Sequence, residues 1–300
     1  MTTKTIYQTA APGLGRVLCY DAAQDVGMAG LIDTTLPWAW GGALPDDGYV
    51  LTGGEGPRNI VNPDHGWTQD YASAVAGTFS FTDAGVSFDS SQARFKLPSG
   101  FKPRADDTHF GLIWWMANLP QPAGTGFNNR IFDVREGGVS KYFITPFYSA
   151  TGVVGNLQLG CMGQSPASSG GTSAWTLTAG HPFNNALFDG TLHQFAYEVE
   201  RLEYDGGPMM RERIYLDGHL VDDRGLVVDQ TGAWTDTDVS QSLTFGIYPG
   251  LSGTGPNGKL YRAAAVRPKI AGARAFGDAV MLDWQQSKPH IVAAIAAAAA

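Results

Sequence analysis

Hydrophobic and polar residues alternate in short runs along most of the chain after residue 77. Each run is bounded by glycine, proline, asparagine or aspartate, which is the pattern of half-buried β-strands joined by turns. The segments that carry it are "TFSFTDAGVSFDSSQARFKLP", "THFGLIWWMANLP", "NNRIFDVRE", "KYFITPFYS", "NLQLGCMG", "LHQFAYEVERLEY", "RERIYLDGHLV", "SLTFGIYPG" and "KLYRAAAVRP". No repeat of fixed period and no proline-, glycine- or serine-rich linker divides them. The pattern predicts a single all-β domain, a sandwich or a barrel.

The segment "RERIYLDGHLVDD", residues 211–223, predicts a β-hairpin. Its central Asp-Gly suits a type I′ turn, in which both central residues have positive φ. A two-residue loop sets the cross-strand pairs Leu216–His219, Tyr215–Leu220, Ile214–Val221 and Arg213–Asp222. Alternation then directs Ile214, Leu216 and Val221 to the core and the other side chains to the opposite face. We expect the Arg213–Asp222 ion pair to add about 0.2–1 kcal/mol.

The two ends of the chain differ from this regular middle. Residues 1–15 are predicted to be an N-terminal arm, followed by the strand-like "RVLCYDA" and a loop-rich region to Gly77. Loops this long are usually functional or contain unrecognised structure. Near the C-terminus, "AFGDAVMLDWQQ" changes to helical spacing, with Val280 and Trp284 on one face that can dock on the sandwich. Residues 293–300 are an Ala-rich tail, expected to be a helical end.

Two segments in a fixed order resemble a known family. These are "DGTLHQFAYEVE" and "RIYLDGHLVDD", and they are similar to the laminin-G-like, concanavalin-A-like lectin and glucanase domains. The matching positions are Asp189, Gly190, His193, Ala196, Tyr215, Asp217 and Gly218. Leu192, Gln194 and Phe195 replace the family's usual Trp, second His and Val.

Three further segments fit the same family in the expected order. "GVSFDSSQARFKLP" resembles its Phe-Asp-Gly…Leu-Pro strand pair, and "FGLIWWMANLP" fits the strand with its core tryptophan, which would be Trp115. "GKLYRAAAVRP" fits a later strand, although Tyr261 and Arg262 stand where the family often has acidic residues. The resemblance implies a concanavalin A-like jelly-roll sandwich over residues 16–292, closed by a short C-terminal helix.

Composition narrows the classes of function. Charged residues make up 16% of the chain, below the roughly 25% of typical soluble proteins, and the net charge is −8. A nucleic-acid-binding protein needs a basic surface, so this balance argues against one. No run approaches the ~20 apolar residues of a membrane span. The two cysteines, Cys19 and Cys161, are expected to be buried free thiols, with a single disulfide as the alternative.

Glycoside hydrolysis is the enzymatic alternative, because some relatives of this fold are β-glucanases. Their catalytic strand carries acidic residues at i, i+2 and i+4, which share one face. The nearest segment here is "EVERLE", where Glu198 and Glu200 share a face but Leu202 takes the third position. We therefore predict no catalytic residues. Glu198 and Glu200 are expected to face solvent, with Phe195, Tyr197 and Val199 toward the core.

No metal or cofactor is predicted, with calcium kept as the alternative. The histidines show no metal-ligand spacing; they are His65, His109, His181, His193, His219 and His290. His193, at a structural position of the family, is expected to be a hydrogen-bonded fold residue. The acidic pairs Asp46–Asp47, Asp106–Asp107 and Asp236/Asp238 could supply calcium ligands, although such pairs are more often solvated turns.

Three tryptophans of the loop-rich region, Trp38, Trp40 and Trp67, have two interpretations. Aromatic faces in loops can stack on sugar rings, and the same residues can plug the end of a sandwich. We favour the plug, because a long irregular segment needs its own anchors.

The leading functional hypothesis is a non-enzymatic structural or adhesive component of a virus particle. "RVLCYDAA" is similar to the "LYLDA" start of such domains in tailed-phage particle proteins. Lectin-like sandwiches usually act outside cells, yet the chain shows no apolar export segment. A phage protein made in the host cytoplasm and released by lysis fits both facts. It would be a capsid-decoration or tail protein in the virion.

The expected partners follow from this hypothesis. They are other virion subunits in an oligomer or larger assembly, with a host surface glycan as a further candidate. A carbohydrate-binding module is the alternative function and can coexist with the first.

Overall fold

The computed structural model describes these stretches of the chain: residues 27–51, 55–59, 71–76, 79–88, 94–101, 107–119, 131–136, 139–148, 154–161, 175–205, 207–228, 243–246, 257–268 and 275–300. The predicted N-terminal arm, the segment "RVLCYDA" and Cys19 lie outside them. So do Trp67, His65, Asp106, Asp236 and Asp238.

The described residues form strands and two α-helices. The strands are β1 Met28–Asp33, β2 Tyr49–Leu51, β3 Glu55–Arg58, β4 Tyr71–Ala76, β5 Phe79–Thr82, β6 Gly85–Phe88, β7 Arg94–Lys96, β8 His109–Leu119, β9 Phe132–Glu136, β10 Val139–Tyr148, β11 Val154–Cys161, β12 Trp175–Leu177, β13 His193–Tyr204, β14 Gly207–Leu216, β15 His219–Val228, β16 Thr244–Gly246 and β17 Asn257–Val266. The helices are α1 Pro182–Ala186 and α2 Phe276–Ala298. Every predicted strand segment of the described middle region contains at least one of these strands.

The strands make two antiparallel sheets that pack face to face. The first sheet has the order β15-β14-β13-β8-β17-β6-β5-β2, and β1 pairs with β17 beside the end of β6. The second sheet has the order β12-β11-β10-β9-β16-β7-β4-β3. Apolar side chains from both sheets share one cluster between them, including Trp114, Phe195, Phe132 and Phe245. The fold is an all-β sandwich with a C-terminal helix, as the sequence predicted.

The loop-rich region before Gly77 contains strands that the pattern did not reveal. In β1 all six residues are buried, so no polar position alternates with the apolar ones. Strand β2 has only three residues, and strands β3 and β4 contain glycine, proline or alanine in place of large apolar residues. The prediction of unrecognised structure in this region is confirmed.

The predicted hairpin is present, but its register departs from the prediction beyond the turn. Asp217 and Gly218 have φ of 50° and 85°, as a type I′ turn requires. The Leu216–His219 and Tyr215–Leu220 pairs are confirmed. A β-bulge at Val221 then shifts the strand, so Ile214 faces Asp222 and Arg213 faces Asp223. The predicted Ile214–Val221 and Arg213–Asp222 pairs are therefore wrong.

The bulge still leaves the predicted apolar face in the core. Ile214 is fully buried, and Leu216 and Val221 pack against the inter-sheet cluster from partly buried positions. An extra residue in the bulged strand re-aims its side chains without changing which apolar groups reach the core. Arg213 instead pairs with Glu198 and Glu200, both on the neighbouring strand β13.

Helix α2 covers the outer face of the first sheet. Val280 is fully buried and Trp284 stacks on Trp115, with ring centroids 5.2 Å apart, so the predicted docking face is confirmed. Trp115 was expected to be the core tryptophan of its strand, but Trp114 occupies the space between the sheets and Trp115 lies under the helix. The helix continues to Ala298, through most of the predicted tail.

Candidate functional site

An open cleft of about 380 Å³ lies at one end of the first sheet, beside its edge strand β2. The single-turn 3₁₀ helix Pro37–Trp40, the loop that follows it and strand β3 form its walls. The lining residues are Trp40, Ala43, Leu44, Pro45, Asp46, Tyr49, Gly56 and Arg58. All of them lie within residues 40–58, and the cleft forms because this stretch folds into the 3₁₀ helix, strand β2 and strand β3.

The aromatic and apolar side chains at this cleft are unusually open to solvent. Tyr49 is 49% exposed, Val50 beside it is 48% exposed and Leu44 is 38% exposed. Large apolar side chains gathered at one exposed place often mark an interaction surface. A tyrosine can stack on a ligand while its hydroxyl stays in water.

Trp40 is fixed in the wall of the cleft. Its indole Nε1 donates a hydrogen bond to the backbone oxygen of Thr34 at 2.9 Å. Its ring meets Phe81 edge-on, with centroids 5.3 Å apart, and packs against the buried clusters on both sides of the sheet. The plug interpretation is thus confirmed for Trp40, which also lines the cleft. The side chain of Trp38 lies outside the described residues.

A carboxylate, that of Asp46, and a guanidinium, that of Arg58, complete the lining of the cleft. Within the described residues, the Asp46 carboxylate has no hydrogen-bond or ion-pair partner, whereas Asp47 accepts a hydrogen bond from the backbone N–H of Asp83 at 3.1 Å. Arg58 is exposed, and its guanidinium approaches the backbone of Gly41. Gly41 has φ of +89°, and a Cβ there would lie 3.1 Å from Nη2 of Arg58. Glycine at this position therefore serves both the turn and the approach of the arginine.

Backbone hydrogen bonds hold the loop that presents the acid. The N–H of Tyr49 donates to the oxygen of Asp46 at 3.0 Å, and the N–H of Gly48 donates to the oxygen of Phe81 at 2.8 Å. The turn over residues 46–49 is thereby tied to strand β5. Asp46 was singled out in the sequence as a calcium candidate, but Tyr49 and Arg58 were missed because strands β2 and β3 were not recognised.

The predicted position of Glu198 is wrong, because this residue is buried. Its side chain is 1% exposed, under the first residues of α2. His109 Nε2 lies 2.5 Å from Oε1, Arg213 donates to Oε1 at 2.9 Å, and the Tyr215 hydroxyl donates to Oε2 at 2.5 Å. Glu200 remains partly exposed and accepts a hydrogen bond from the same arginine at 3.0 Å.

This arrangement is unsuited to glycoside hydrolysis. Burial by itself raises the pKa of Glu198, but hydrogen bonds from His109 and Tyr215 and the charge of Arg213 outweigh it and lower the pKa. A general acid needs the opposite shift, so that it holds a proton near neutral pH. A sugar also cannot reach a carboxylate that is closed from solvent. Glu198 holds strands together instead.

His193 lies in a second polar cluster, at the hairpin turn. Its Nδ1 is 2.8 Å from Asp217 Oδ2, and its Nε2 is 3.0 Å from Asp189 Oδ2 and 2.7 Å from the Thr191 hydroxyl. The hydrogen bond to Asp217 raises the pKa of His193, burial opposes the change, and Asp189 adds to it. The prediction of a hydrogen-bonded fold residue is confirmed.

The hydroxyl, imidazole and carboxylate of this cluster do not make a catalytic triad. The Thr191 hydroxyl donates to Asp189 Oδ1 at 2.7 Å, and both ring nitrogens of His193 face carboxylates. An imidazole that keeps both protons cannot accept one from a nucleophile.

The remaining candidate ligands are dispersed or engaged elsewhere. Asp107 accepts two hydrogen bonds from Arg267, at 2.8 and 3.0 Å, and His181 accepts one from the N–H of Phe183 at the start of α1. His219 is exposed. Among the described residues, no three His, Cys, Asp or Glu side chains come together as a metal site. No described helix has the length and apolar character needed to cross a membrane.

Comparison with known proteins yields distant structural likenesses. No protein-family model and no curated protein matches the chain. The binding domain of Paraclostridial Mosquitocidal Protein 1 is 8% identical, with 87% of this chain and 52% of that chain covered and a TM-score of 0.46. The botulinum neurotoxin serotype G binding domain is 11% identical, with coverages of 80% and 51% and a TM-score of 0.46.

A third solved structure, Trypanosoma rangeli sialidase, is 11% identical over 88% of this chain and 33% of that chain, with a TM-score of 0.47. The chain spans about half the length of the first two structures. Likenesses this remote carry no argument about function. The assignment of a β-sandwich therefore rests on the two sheets and their shared core.

Proposed function

We propose that the chain is a non-enzymatic binding module that takes a carbohydrate in the cleft beside β2. The observation that carries this proposal is the half-exposed ring of Tyr49 in the same cleft as the carboxylate of Asp46, which has no partner among the described residues. Sugar rings present apolar C–H faces and polar hydroxyl edges. An aromatic ring beside a charged acceptor matches both features.

The charges in the cleft favour a neutral sugar. Asp46 can accept hydrogen bonds from ligand hydroxyls, and Arg58 can donate to ligand oxygens. One carboxylate and one guanidinium in the same cleft leave no excess of either sign. Trp40 is held rigidly by its hydrogen bond to Thr34, so this wall needs no rearrangement on binding.

The test is a glycan array probed with the unmodified protein and three variants. We expect Tyr49→Ala to weaken binding to the best neutral glycan by about tenfold or more, because the stacking surface is lost. Asp46→Asn keeps the shape but removes the charge, and it should also weaken binding by about tenfold. Leu226→Ala is the control, since this 42%-exposed leucine lies on β15 at the opposite edge of the same sheet.

Two results would contradict the proposal. One is a glycan bound equally well by the unmodified protein and by Tyr49→Ala. The other is the absence of any glycan ligand on a broad array. A loss of binding in Leu226→Ala as large as in Tyr49→Ala would place the site elsewhere.

We further propose that this module serves as an adhesive component of a tailed-phage particle. The support is the sequence resemblance of "RVLCYDAA" to particle proteins of such phages, together with the lectin-like motifs. The other virion subunits would then be its partners and a host surface glycan its ligand. Copurification with assembled particles, and capsid, portal or tail genes beside its gene, would support this role. A gene among carbohydrate-metabolism genes, without particle association, would contradict it.

A further inference from the structure

A group of charged side chains is sealed between helix α2 and the first sheet. Arg262 on β17, Asp33 on β1 and Asp283 on α2 are each at most 1% exposed. Arg262 donates from Nη1 to Asp33 Oδ2 at 2.8 Å and from Nε to Asp283 Oδ1 at 2.9 Å. Two carboxylates and one guanidinium leave this buried group with a formal charge of −1.

Neutral donors complete the shell around Asp283. Its Oδ2 accepts from the indole of Trp115 at 2.7 Å and from the amide of Gln194 at 2.9 Å. Its Oδ1 also accepts from the Ser287 hydroxyl at 2.9 Å. Buried carboxylates need such partners, and these bonds fix the first half of α2 to the sheet.

His290, in the second half of the same helix, is fully buried beside this group. The Thr35 hydroxyl lies 2.5 Å from Asp33 Oδ1 and 2.6 Å from His290 Nε2. A carboxylate can only accept, so the single hydroxyl proton of Thr35 goes to Asp33. Nε2 of His290 must therefore carry a hydrogen and donate it to Thr35. In the neutral ring Nδ1 then carries no hydrogen, and it has no hydrogen-bond partner among the described residues.

The neutral form of His290 is thus built into the docked helix. A second proton would have to enter at Nδ1, where it would be a buried donor with no acceptor within the part of the chain that the structure describes. Burial lowers the pKa of His290, with the charge of Asp33 opposing and that of Arg262 reinforcing the effect. Lys288 on the same helix is exposed, with its Nζ over the ring of Trp284.

The helix is weakened immediately before this histidine. Pro289 lies inside α2, and a proline there removes one backbone hydrogen bond and disturbs the preceding turn. After it, the fully buried Ile291 and the partly buried Ile295 are the apolar anchors, while Val292 is 47% exposed. An undocked helical segment of nine residues is too short to stay folded in water.

We propose that the segment His290–Ala298 is an acid-released latch, with His290 as its trigger. The inference is independent of the cleft and of any ligand. At neutral pH the unprotonated imidazole fits the site beside Thr35. When the segment opens, the imidazole reaches water and can take a proton at Nδ1. The protonated ring cannot return without burying an unpaired charged donor.

The size of the effect follows from proton linkage. A histidine whose folded-state pKa is lowered favours docking above its ordinary pKa of about 6.5, and the docked state loses stability as the pH falls below that value. If only the open segment takes up the proton, the opening equilibrium increases about 25-fold between pH 7 and pH 5.

The test is hydrogen exchange of the Ile291–Ala298 amides in the full chain, corrected for the intrinsic pH dependence of exchange. We expect about 25-fold more opening at pH 5 than at pH 7 in the unmodified protein. His290→Gln keeps a donor for Thr35 but cannot titrate, so its opening should be the same at both values. His219→Gln is the matched control, because His219 is exposed and should leave the effect intact.

The proposal is wrong if the unmodified protein shows no such increase, or if His290→Gln shows the same increase. Should His290→Gln be open at both values, nuclear magnetic resonance of the imidazole in the unmodified protein decides the matter. The docked ring should stay neutral at pH 5. Titration near pH 6.5 while the segment remains docked would overturn the proposal.

Discussion

At the scale of single residues, burial decides what the acidic side chains of β13 do. Glu198 is a structural carboxylate because Tyr215, His109 and Arg213 surround it, although the sequence predicted exposure. Its neighbour in the alternation, Glu200, keeps access to water. The alternation of side chains along a strand correctly placed Glu198 and Glu200 on one face of the sheet. It could not show that helix α2, more than 70 residues later, covers part of that face.

Replacing Glu198 by Gln should destabilise the fold by about 1.5–3 kcal/mol at pH 7, because charge-assisted hydrogen bonds are lost in a buried site. Glu200→Gln is the matched control and should change stability by less than about 1 kcal/mol, since this pair is partly solvated. Chemical denaturation measures both. Because the pKa of Glu198 is lowered, its contribution is present above its ordinary value and is lost as the pH falls through the folded-state pKa. Equal effects of the two variants would contradict the assignment.

The contribution of His193 to the stability of the fold should have the opposite pH dependence. Its pKa is raised by Asp217 and Asp189, so its contribution to stability is fully present below about pH 6.5. The contribution is lost as the pH rises through the folded-state pKa. The unmodified protein should therefore lose stability relative to His193→Gln between pH 6 and pH 9, as measured by urea denaturation. A constant difference over this range would show that His193 is not held protonated.

At the scale of elements, the three-strand run β13-β14-β15 was the most predictable part of the fold. Alternation and the Asp217-Gly218 turn specify it locally. The bulge at Val221 was not predictable, because the residues around it fit either register. Strand β1 escaped recognition for a different reason: it pairs with β17, more than 220 residues away, and is buried throughout.

Helix α2 was predicted from Val280 and Trp284, but the buried ion pairs that attach it to the first sheet were not predicted. The two carboxylates that Arg262 binds, Asp33 and Asp283, lie on elements far apart in the chain. No local sequence motif therefore predicts this ion-pair group. The turn of the hairpin is connected to the same buried group through Gln194. This side chain accepts a hydrogen bond from the N–H of Gly218 and donates one to Asp283. Helix, hairpin and sheet thus meet at one buried polar group.

Removing Asp283 should therefore loosen several elements together. Asp283→Ala is expected to destabilise the protein by about 3–5 kcal/mol, because breaking a buried ion pair leaves Arg262 without one of its carboxylates. Asp278→Ala on the same helix is the control. Asp278 is exposed in the first turn, and its loss should cost about 0.3–1 kcal/mol. Thermal and urea unfolding of both variants test this, and equal losses would refute a special role for Asp283.

At the scale of the whole molecule, the sequence predicted the sandwich more readily than the site. The fold follows from repeated local signals, such as alternating strands and turn residues, that need no long-range information. The cleft lies within residues 40–58, and its geometry depends on how strands β2 and β3, which the hydrophobic pattern did not reveal, join the two sheets. The sequence identified Trp40 and Asp46 as candidate site residues by their side-chain type. Tyr49 and Arg58 are identified as site residues only by their positions in the structure.

The central claim is that the cleft beside β2 is the carbohydrate site. Its most direct test is a titration of isotopically labelled protein with the neutral oligosaccharide that binds best on the array, followed by nuclear magnetic resonance. Binding should shift the backbone amides of residues 41–51 and 55–59 and the indole N–H of Trp40, while the indole signals of Trp115 and Trp284 stay unchanged. Shifts confined to another face of the sandwich, with these residues unperturbed at saturation, would contradict the account.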